Sequence, residues 1–238
     1  MITCFDDADT LTATVAAAWA DDVAASAGRP YRVALSGGRS AARLFAEWAT
    51  RVNARGIDIR QCEFFWADER CVPPDHPDSN YLLAREALFA PLGIDAVRIH
   101  RIPGEMGPVA AAAAASAGLR AVSGATGDTL PVLDLVLLGM GEDGHVASLF
   151  PGDDAAFADA HSLFRPVHDS PKPPPERVTL GQAVIVAARE VWVVITGEGK
   201  EAPLREALSG TGTHPLANIL RLRQKTRLFS TTRIAPAP

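Results

Sequence analysis

Short runs of apolar and aromatic residues alternate along the chain with longer stretches whose apolar positions repeat at helical spacing. A run in which nearly every position is apolar is typical of a strand that is buried on both faces of a parallel sheet. These runs predict strands at 31–35, 62–67, 97–102, 133–140, 191–196 and 226–230. The stretches between them predict helices at about 40–53, 79–89, 109–122 and 198–208.

The alternation of strands and helices predicts an α/β fold with a Rossmann-like, mainly parallel sheet and helices on both faces. The chain has 238 residues, a length that such folds commonly fill as a single domain. The proline-rich segment 170–175 is short, so it predicts a stiff surface loop rather than a domain boundary. We therefore expect one domain over residues 1–238.

Composition and charge narrow the class of partner. The formal net charge of −5 argues against a nucleic acid as the binding partner. No apolar run approaches the roughly 20 residues that a membrane-spanning helix needs. The 3 cysteines lack C-x-x-C spacing, which argues against a disulfide framework or a structural zinc site. The acidic start does not resemble a signal peptide. We expect a cytoplasmic monomer or small homo-oligomer that acts on a small molecule without a metal.

Ligands in open α/β sheets bind outside the carboxyl ends of the strands, so the residues after each predicted strand are the candidate site. The first such loop is Ser36, Gly37, Gly38, Arg39 and Ser40. Its glycines allow a close approach of the backbone, and the helix that follows presents N–H groups to an anion. The loop therefore predicts a phosphate cradle; the alternative is a tight turn that is capped by Ser40.

Charged residues follow two other predicted strands. Asp68 and Arg70 come directly after an apolar strand end, where packing does not explain them; the alternative is a solvated turn in which Arg70 pairs with Glu69. Lys200 lies on a glycine-rich loop, where an ammonium group can reach a phosphate as a point charge. The alternative for Lys200 is a solvated position in the first turn of a helix.

The segment 139–152 carries the most informative chemistry. Asp143 and His145 lie among glycines after a buried strand, where the carboxylate can orient an imidazole for general-base work near neutral pH. The alternative is a glycine-rich turn in which His145 packs against the sheet. The segment also spells G-x-G-x-x-G, but the acidic Glu142 and Asp143 would repel a dinucleotide pyrophosphate. An anion cradle with a supported base suits water attack or proton transfer on a small phosphorylated substrate.

Four segments resemble the 6-phosphogluconolactonase family: A-L-S-G-G-R-S, W-A-D-E-R-C-V-P-P-D-H-P-D-S-N-Y, L-L-G-M-G-E-D-G-H-V-A-S-L-F-P-G and P-K-P-P-P-E-R-V-T-L. The resemblance implies the fold of the sugar-phosphate isomerases, no cofactor, and hydrolysis of 6-phosphogluconolactone in the oxidative pentose phosphate pathway. It also implies that His145 activates the attacking water, while Asp143 and Asp68 position the histidine and the sugar hydroxyls. Arg70 would face the phosphate or the developing oxyanion, and the phosphate cradle with Lys200 would hold the 6-phosphate.

Two related functions stay open at this point. The glucosamine-6-phosphate deaminases share the Asp-Gly-His signature, but that family has tyrosine at the position of Arg70 and a glutamate within the segment 148–150. A non-catalytic sugar-phosphate sensor would not need both Asp143 and His145. The sequence departs from the lactonase pattern at Ser40-Ala41, where the family usually has Thr-Pro.

Overall fold

The computed structural model describes residues 1–26 and 28–234, with Arg39 described in its backbone only. Its strands are β1 (Ile2–Cys4), β2 (Tyr31–Leu35), β3 (Cys62–Trp66), β4 (Asp68–Arg70), β5 (Leu135–Gly139), β6 (Phe164–Val167), β7 (Arg177–Leu180), β8 (Glu190–Ile195) and β9 (Thr226–Ser230). Its α-helices are α1 (Ala8–Ala25), α2 (Arg39–Arg55), α3 (Asn80–Ala84), α4 (Ala90–Leu92), α5 (Pro108–Ser123), α6 (Asp154–Ala158), α7 (Gln182–Ala187), α8 (Glu201–Leu208) and α9 (Pro215–Leu222). A π-helical turn (Arg85–Phe89) joins α3 to α4, and two 3₁₀ turns lie at Ala96–Arg98 and Gly104–Met106.

The main sheet has 6 parallel strands in the order β1-β9-β8-β5-β2-β3, which confirms the predicted α/β class. The chain leaves β2 toward β3 on one side and returns to β5 on the other, so the strand order reverses between β2 and β5. Such a reversal opens a crevice at the carboxyl ends of the two strands. The fold therefore directs a ligand to the loops that follow β2 and β5.

A second sheet of 3 antiparallel strands, β4-β7-β6, lies beside the first. Its pairing sets Asp68 opposite Thr179 and Arg70 opposite Arg177, residues more than one hundred positions apart in the chain. The proline-rich segment 170–175 is the connection between β6 and β7. The small sheet thus brings the start of β7 next to the residues that follow β3.

Aromatic side chains fill the core between the helices and the main sheet. The indole rings of Trp19 on α1 and Trp48 on α2 stack with their centroids 4.1 Å apart, and Trp48 meets Phe64 of β3 edge to face. All five residues of β3 are buried, which fits a strand covered on both faces. None of the described helices has both the length and the apolar character required to cross a membrane.

The predicted strand at 97–102 is wrong. The Asp95 carboxylate accepts a hydrogen bond from the backbone N–H of Val97 at 3.1 Å and starts the 3₁₀ turn Ala96–Arg98 instead. Only Ile99 forms a bridge to Phe64 of β3, and Val97 is 67% exposed. The apolar residues of this segment therefore did not predict its secondary structure, because a side-chain hydrogen bond fixes the local backbone.

Candidate active site

A pocket of about 810 Å³ lies at the carboxyl ends of β2, β5 and β8. The sequence predicted several of the residues that line it: Ser36, Gly37, Gly38, Ser40, Asp68, Arg70, His145 and Lys200. Asp143 contacts the pocket residue His145, and the side chain of Arg39 lies outside the described residues. Four segments that are distant in sequence, which follow β2, β3, β5 and β8, thus meet around one cavity.

His145 and Asp143 form a close pair on the loop that follows β5. The Asp143 carboxylate lies 2.5 Å from His145 Nδ1 and also accepts the backbone N–H of His145 at 3.2 Å. When Nδ1 donates its hydrogen to Asp143, Nε2 is the ring nitrogen that can accept a proton. The geometry therefore matches a general base that a carboxylate holds in one tautomer.

The electrostatic setting keeps this imidazole neutral. Burial lowers the pKa of His145 below its ordinary value of 6.5 and outweighs the opposing effect of the Asp143 carboxylate. For Asp143, burial raises the pKa, but the hydrogen bonds and charge of His145 outweigh burial and bring that pKa below its ordinary value. At neutral pH the pair therefore consists of a neutral imidazole and an ionised carboxylate.

Glycines explain why the chain can bring the two side chains together. A Cβ added to Gly141 would lie 2.0 Å from His145 Nδ1 and 2.5 Å from Asp143 Oδ1. Gly144 has a φ of +78°, and a Cβ there would clash with the ring of His214. His214 caps α9, because its Nδ1 accepts the N–H of Ala217 at 3.3 Å. The loop is consequently closed around its own catalytic candidates, with no room for larger residues at 141 or 144.

Asp68 lines the pocket and its neighbour Glu69 does not, as expected for successive residues of a strand, whose side chains point to opposite faces. The Asp68 carboxylate accepts hydrogen bonds from Ser148 Oγ at 2.7 Å and from Asn80 Nδ2 at 3.4 Å. Glu69 accepts the N–H groups of Asn80 and Tyr81, both at 2.8 Å, at the start of α3. Burial raises the pKa of Glu69 to about 7 against these hydrogen bonds. Asp68 is thus a site carboxylate, and Glu69 anchors a helix.

The Arg70 guanidinium lines the pocket and donates from Nη1 to the carbonyl of Asp78 at 2.7 Å. The alternative pairing of Arg70 with Glu69 is limited to the backbone, where the Arg70 N–H donates to Glu69 Oε1 at 2.8 Å. The turn that holds Arg70 is therefore not the solvated ion pair that the sequence left open. Among the described residues, His76 does not line the pocket. Its Nδ1 accepts a hydrogen bond from the Asp78 N–H at 3.1 Å.

The phosphate cradle presents its backbone more than its hydroxyls. Ser36 Oγ donates to the carbonyl of Leu137 at 2.7 Å, and Ser40 Oγ hydrogen-bonds Thr196 Oγ1. Gly38, with φ +99°, is the N-cap of α2, so the predicted alternative in which Ser40 caps the helix is wrong. The N–H groups of Ala41 and Ala42 donate to the Gly38 carbonyl, so the donors that the start of α2 offers to an anion are the N–H groups that precede Ala41.

Lys200 extends from the loop after β8 toward the loop after β5. Its Nζ donates to the carbonyl of Met140 at 2.7 Å, and the side chain lines the pocket. Lys200 immediately precedes α8, so the predicted position near a helix start is right. The ammonium group is thus held at the pocket wall by the Met140 carbonyl.

The structure adds Asn80, Lys172 and Arg177 to the pocket lining, none of which we singled out from the sequence. A Cβ at Gly37 would lie 1.8 Å from Asn80 Oδ1, so Asn80 abuts the cradle. Buried Arg177 donates to the carbonyls of Lys172 at 2.9 Å and Pro174 at 3.0 Å and fastens the proline-rich loop beside the pocket. The motif P-K-P-P-P-E-R was the only sequence signal for this wall.

Comparisons with known proteins show which family the chain resembles. The family model described as glucosamine-6-phosphate isomerases/6-phosphogluconolactonase matches residues 6–229. The human protein named 6-phosphogluconolactonase is 37% identical over 220 residues, which cover 91% of this chain and 84% of the human protein.

Two solved structures mark the breadth of the fold. A crystal structure named 6-phosphogluconolactonase from Leishmania guyanensis superposes with a TM-score of 0.85 at 26% identity, covering 97% of this chain and 96% of that chain. A monomeric glucosamine-6-phosphate deaminase superposes with a TM-score of 0.76 at 16% identity, covering 96% of each chain. The likeness to the deaminase shows the fold alone.

Proposed function

The chain belongs to the glucosamine-6-phosphate isomerase/6-phosphogluconolactonase family, and from this premise we propose that it hydrolyses 6-phospho-D-glucono-1,5-lactone to 6-phospho-D-gluconate in the oxidative pentose phosphate pathway. The observation that carries this proposal is the His145–Asp143 pair on the wall of a pocket that also holds cationic side chains. The pocket volume of about 810 Å³ fits a small ligand, since ligand pockets commonly measure about 300–1,000 Å³.

His145 serves as the general base in this mechanism. Its Nε2 takes a proton from a water molecule as the water oxygen attacks the lactone carbonyl carbon. The tetrahedral intermediate collapses with cleavage of the bond between that carbon and the ring oxygen, and the ring oxygen receives the proton. The new carboxylic acid then loses its own proton to solvent. A lactone is an activated ester, so a positioned base can hydrolyse it without a covalent nucleophile.

Asp143 orients the imidazole, and Asp68 offers carboxylate oxygens to the sugar hydroxyls. Hydrogen bonds from Ser148 and Asn80 fix the Asp68 carboxylate at the pocket wall. Arg70 supplies positive charge beside Asp68, where it faces either the phosphate or the developing oxyanion.

The substrate phosphate is assigned to the phosphate cradle that follows β2. The cradle of Ser36, Gly37, Gly38, Arg39 and Ser40 supplies backbone N–H groups, and Lys200 supplies an ammonium group at its side. Lys172 and Arg177 also line the pocket. Together with Arg70 and Lys200 they are the four cationic side chains that the described residues bring to this pocket, and their charge suits a dianionic sugar phosphate.

The remaining expectations belong to the same proposal. The chain acts as a single catalytic domain in the cytoplasm, as a monomer or small homo-oligomer, without a cofactor, a nucleic acid or a membrane partner. The net charge of −5 supports the choice of a small anion held in a local cationic pocket over a polyanionic partner.

Two parallel assays separate this function from its alternatives. Freshly generated 6-phosphogluconolactone should release acid well above the spontaneous background, whereas glucosamine 6-phosphate should release no ammonia. Ammonia release without lactone hydrolysis would identify a deaminase. Binding of sugar phosphates with neither reaction would identify a sensor and would contradict the catalytic role of His145.

A further inference from the structure

A second cavity, of about 400 Å³, lies at the amino ends of the strands whose carboxyl ends carry the active site. Residues just before or at the start of β2, β5 and β8 line it, together with the loop that follows α5. We call it the amino-edge cavity; its charged lining residues are Arg29, Arg32, Asp134 and Arg189. None of these residues takes part in the proposed lactone hydrolysis.

One buried carboxylate organises this cluster. The side chain of Asp134 is 5% exposed, and its Oδ1 lies 2.5 Å from Arg29 Nη1 and 3.3 Å from Arg189 Nε. Its Oδ2 accepts the backbone N–H of Arg32 at 2.9 Å. One oxygen of the carboxylate therefore pairs with two guanidinium groups, and the other accepts a backbone hydrogen bond.

The arginines outnumber their acid. Three guanidinium groups and one carboxylate leave a formal local charge of +2 around the cavity. Within the described chain, the Arg32 guanidinium makes one hydrogen bond, from Nη2 to the Val122 carbonyl at 3.3 Å, and its buried Nε has no partner. Because a guanidinium withdrawn from water is costly without acceptors, the cavity favours an anion with several oxygens.

We propose that the amino-edge cavity is a second binding site for a phosphate group, carried either by free phosphate or by a phosphorylated metabolite. Guanidinium groups present paired N–H donors that match the oxygens of a phosphate. The side chains of Arg29 and Arg189 are 50% and 66% exposed, so the guanidinium N–H groups that do not face Asp134 are accessible to an incoming anion. A cavity of this size encloses a small anion rather than a macromolecule.

Equilibrium dialysis with labelled inorganic phosphate, at constant ionic strength in chloride, tests the proposal. Wild-type protein should bind two phosphates per chain, one at each site. The double variant Arg29→Gln/Arg189→Gln should lose one of them, with affinity at that site lowered about tenfold or more, since charge-assisted hydrogen bonds are removed. The matched control Arg60→Gln/Arg233→Gln removes the same charge from residues 90% and 75% exposed and should bind as wild type does.

The readout does not depend on the proposed lactonase activity. If the active site held no phosphate, wild type would bind one and the arginine double variant none, which would support the second site and count against the first. Equal numbers and affinities in the double variant and its control would overturn the proposal. The single variant Arg189→Gln, which leaves Arg29 on Asp134, gives the same comparison if the double variant does not fold.

Competition separates the two sources of the phosphate group. Displacement of labelled phosphate from the Arg189-dependent site by glucose 6-phosphate would indicate a sugar phosphate as the ligand. Displacement by unlabelled phosphate alone would indicate free phosphate. Uniform weakening by any added salt, with no dependence on Arg189, would contradict a built site.

Discussion

Among the histidines that pair with a carboxylate in the described chain, His145 and His100 have the least exposed side chains, 16% and 22%, and of these two only His145 lines the pocket. His145 Nδ1 lies 2.5 Å from Asp143, and His100 Nε2 lies 2.7 Å from Glu63. The Glu63 carboxylate also receives the guanidinium of Arg98, and the His100 ring stacks on Phe65 with a centroid separation of 4.6 Å. His100 thus fastens the segment after the 3₁₀ turn to the edge strand β3.

The difference shows that a short hydrogen bond does not by itself make a catalytic pair. The charge of Glu63 is balanced by Arg98 as well as by His100. Among the described side chains, only His145 pairs with Asp143. His145 lines a large pocket, while His100 packs against aromatic core. Access to the pocket distinguishes the proposed catalytic pair, His145 with Asp143, from the pair of His100 with Glu63.

The largest expected effect is the contrast between His145→Ala and His100→Ala. Loss of a general base should lower kcat for lactone hydrolysis about 10²–10⁴-fold. His100→Ala should leave kcat within about threefold, but it should lower the free energy of unfolding by about 1–3 kcal/mol because Glu63 loses a buried partner. Steady-state kinetics and urea denaturation measure the two effects. Comparable losses of kcat in both variants would erase the proposed distinction between the pairs.

Gly141→Ala should follow, with a loss of kcat of about 10²-fold, because misplacing a catalytic group by about 1 Å has effects of that size. The added Cβ would lie 2.0 Å from His145 Nδ1, so the imidazole must move. Gly118→Ala is the matched control, since a Cβ there meets nothing within 4 Å inside α5.

The Gly118→Ala control should keep wild-type kinetics and stabilise the protein by about 0.5–1 kcal/mol. Thermal denaturation and kinetics on the same preparations provide both numbers. A wild-type kcat in Gly141→Ala would show that the close approach of His145 to residue 141 is not required for catalysis.

Asp143→Asn should have a smaller effect, about tenfold on kcat because a neutral hydrogen bond to His145 replaces a charge-assisted one, together with a change in pH dependence. The negative charge of Asp143 raises the pKa of His145 against burial, so its removal should lower that pKa further. The acid limb of the kcat/KM profile should then move to lower pH. Glu63→Gln should leave the limb in place. A shift to higher pH in Asp143→Asn would contradict the assigned electrostatics.

The sequence predicted the parallel sheet and the His145 loop because both have strong local signals. Buried strands have continuous apolar runs, and the glycines of 139–152 mark a tightly bent backbone. The curated relatives and the fold confirm the family that these motifs resemble.

Other parts of the site depend on contacts between distant segments. Arg177 reaches the pocket wall because β7 pairs with β4, which places it opposite Arg70. Neither three-residue β4 nor the hydrogen bond that commits Ser36 to Leu137 has a local sequence signal. The role of Gly38 as N-cap was likewise decided by backbone geometry rather than by the preference of serine for that position.

An NMR titration of the imidazole nitrogens of His145 tests whether this residue can be the base. We expect that Nδ1 carries the hydrogen at pH 7, that Nε2 is unprotonated, and that the pKa of His145 lies below the ordinary value of 6.5. That pKa should coincide with the acid limb of kcat/KM for lactone hydrolysis in the free enzyme. A His145 that is protonated on both nitrogens at a pH where the enzyme is fully active could not be the base, and this result would contradict the account.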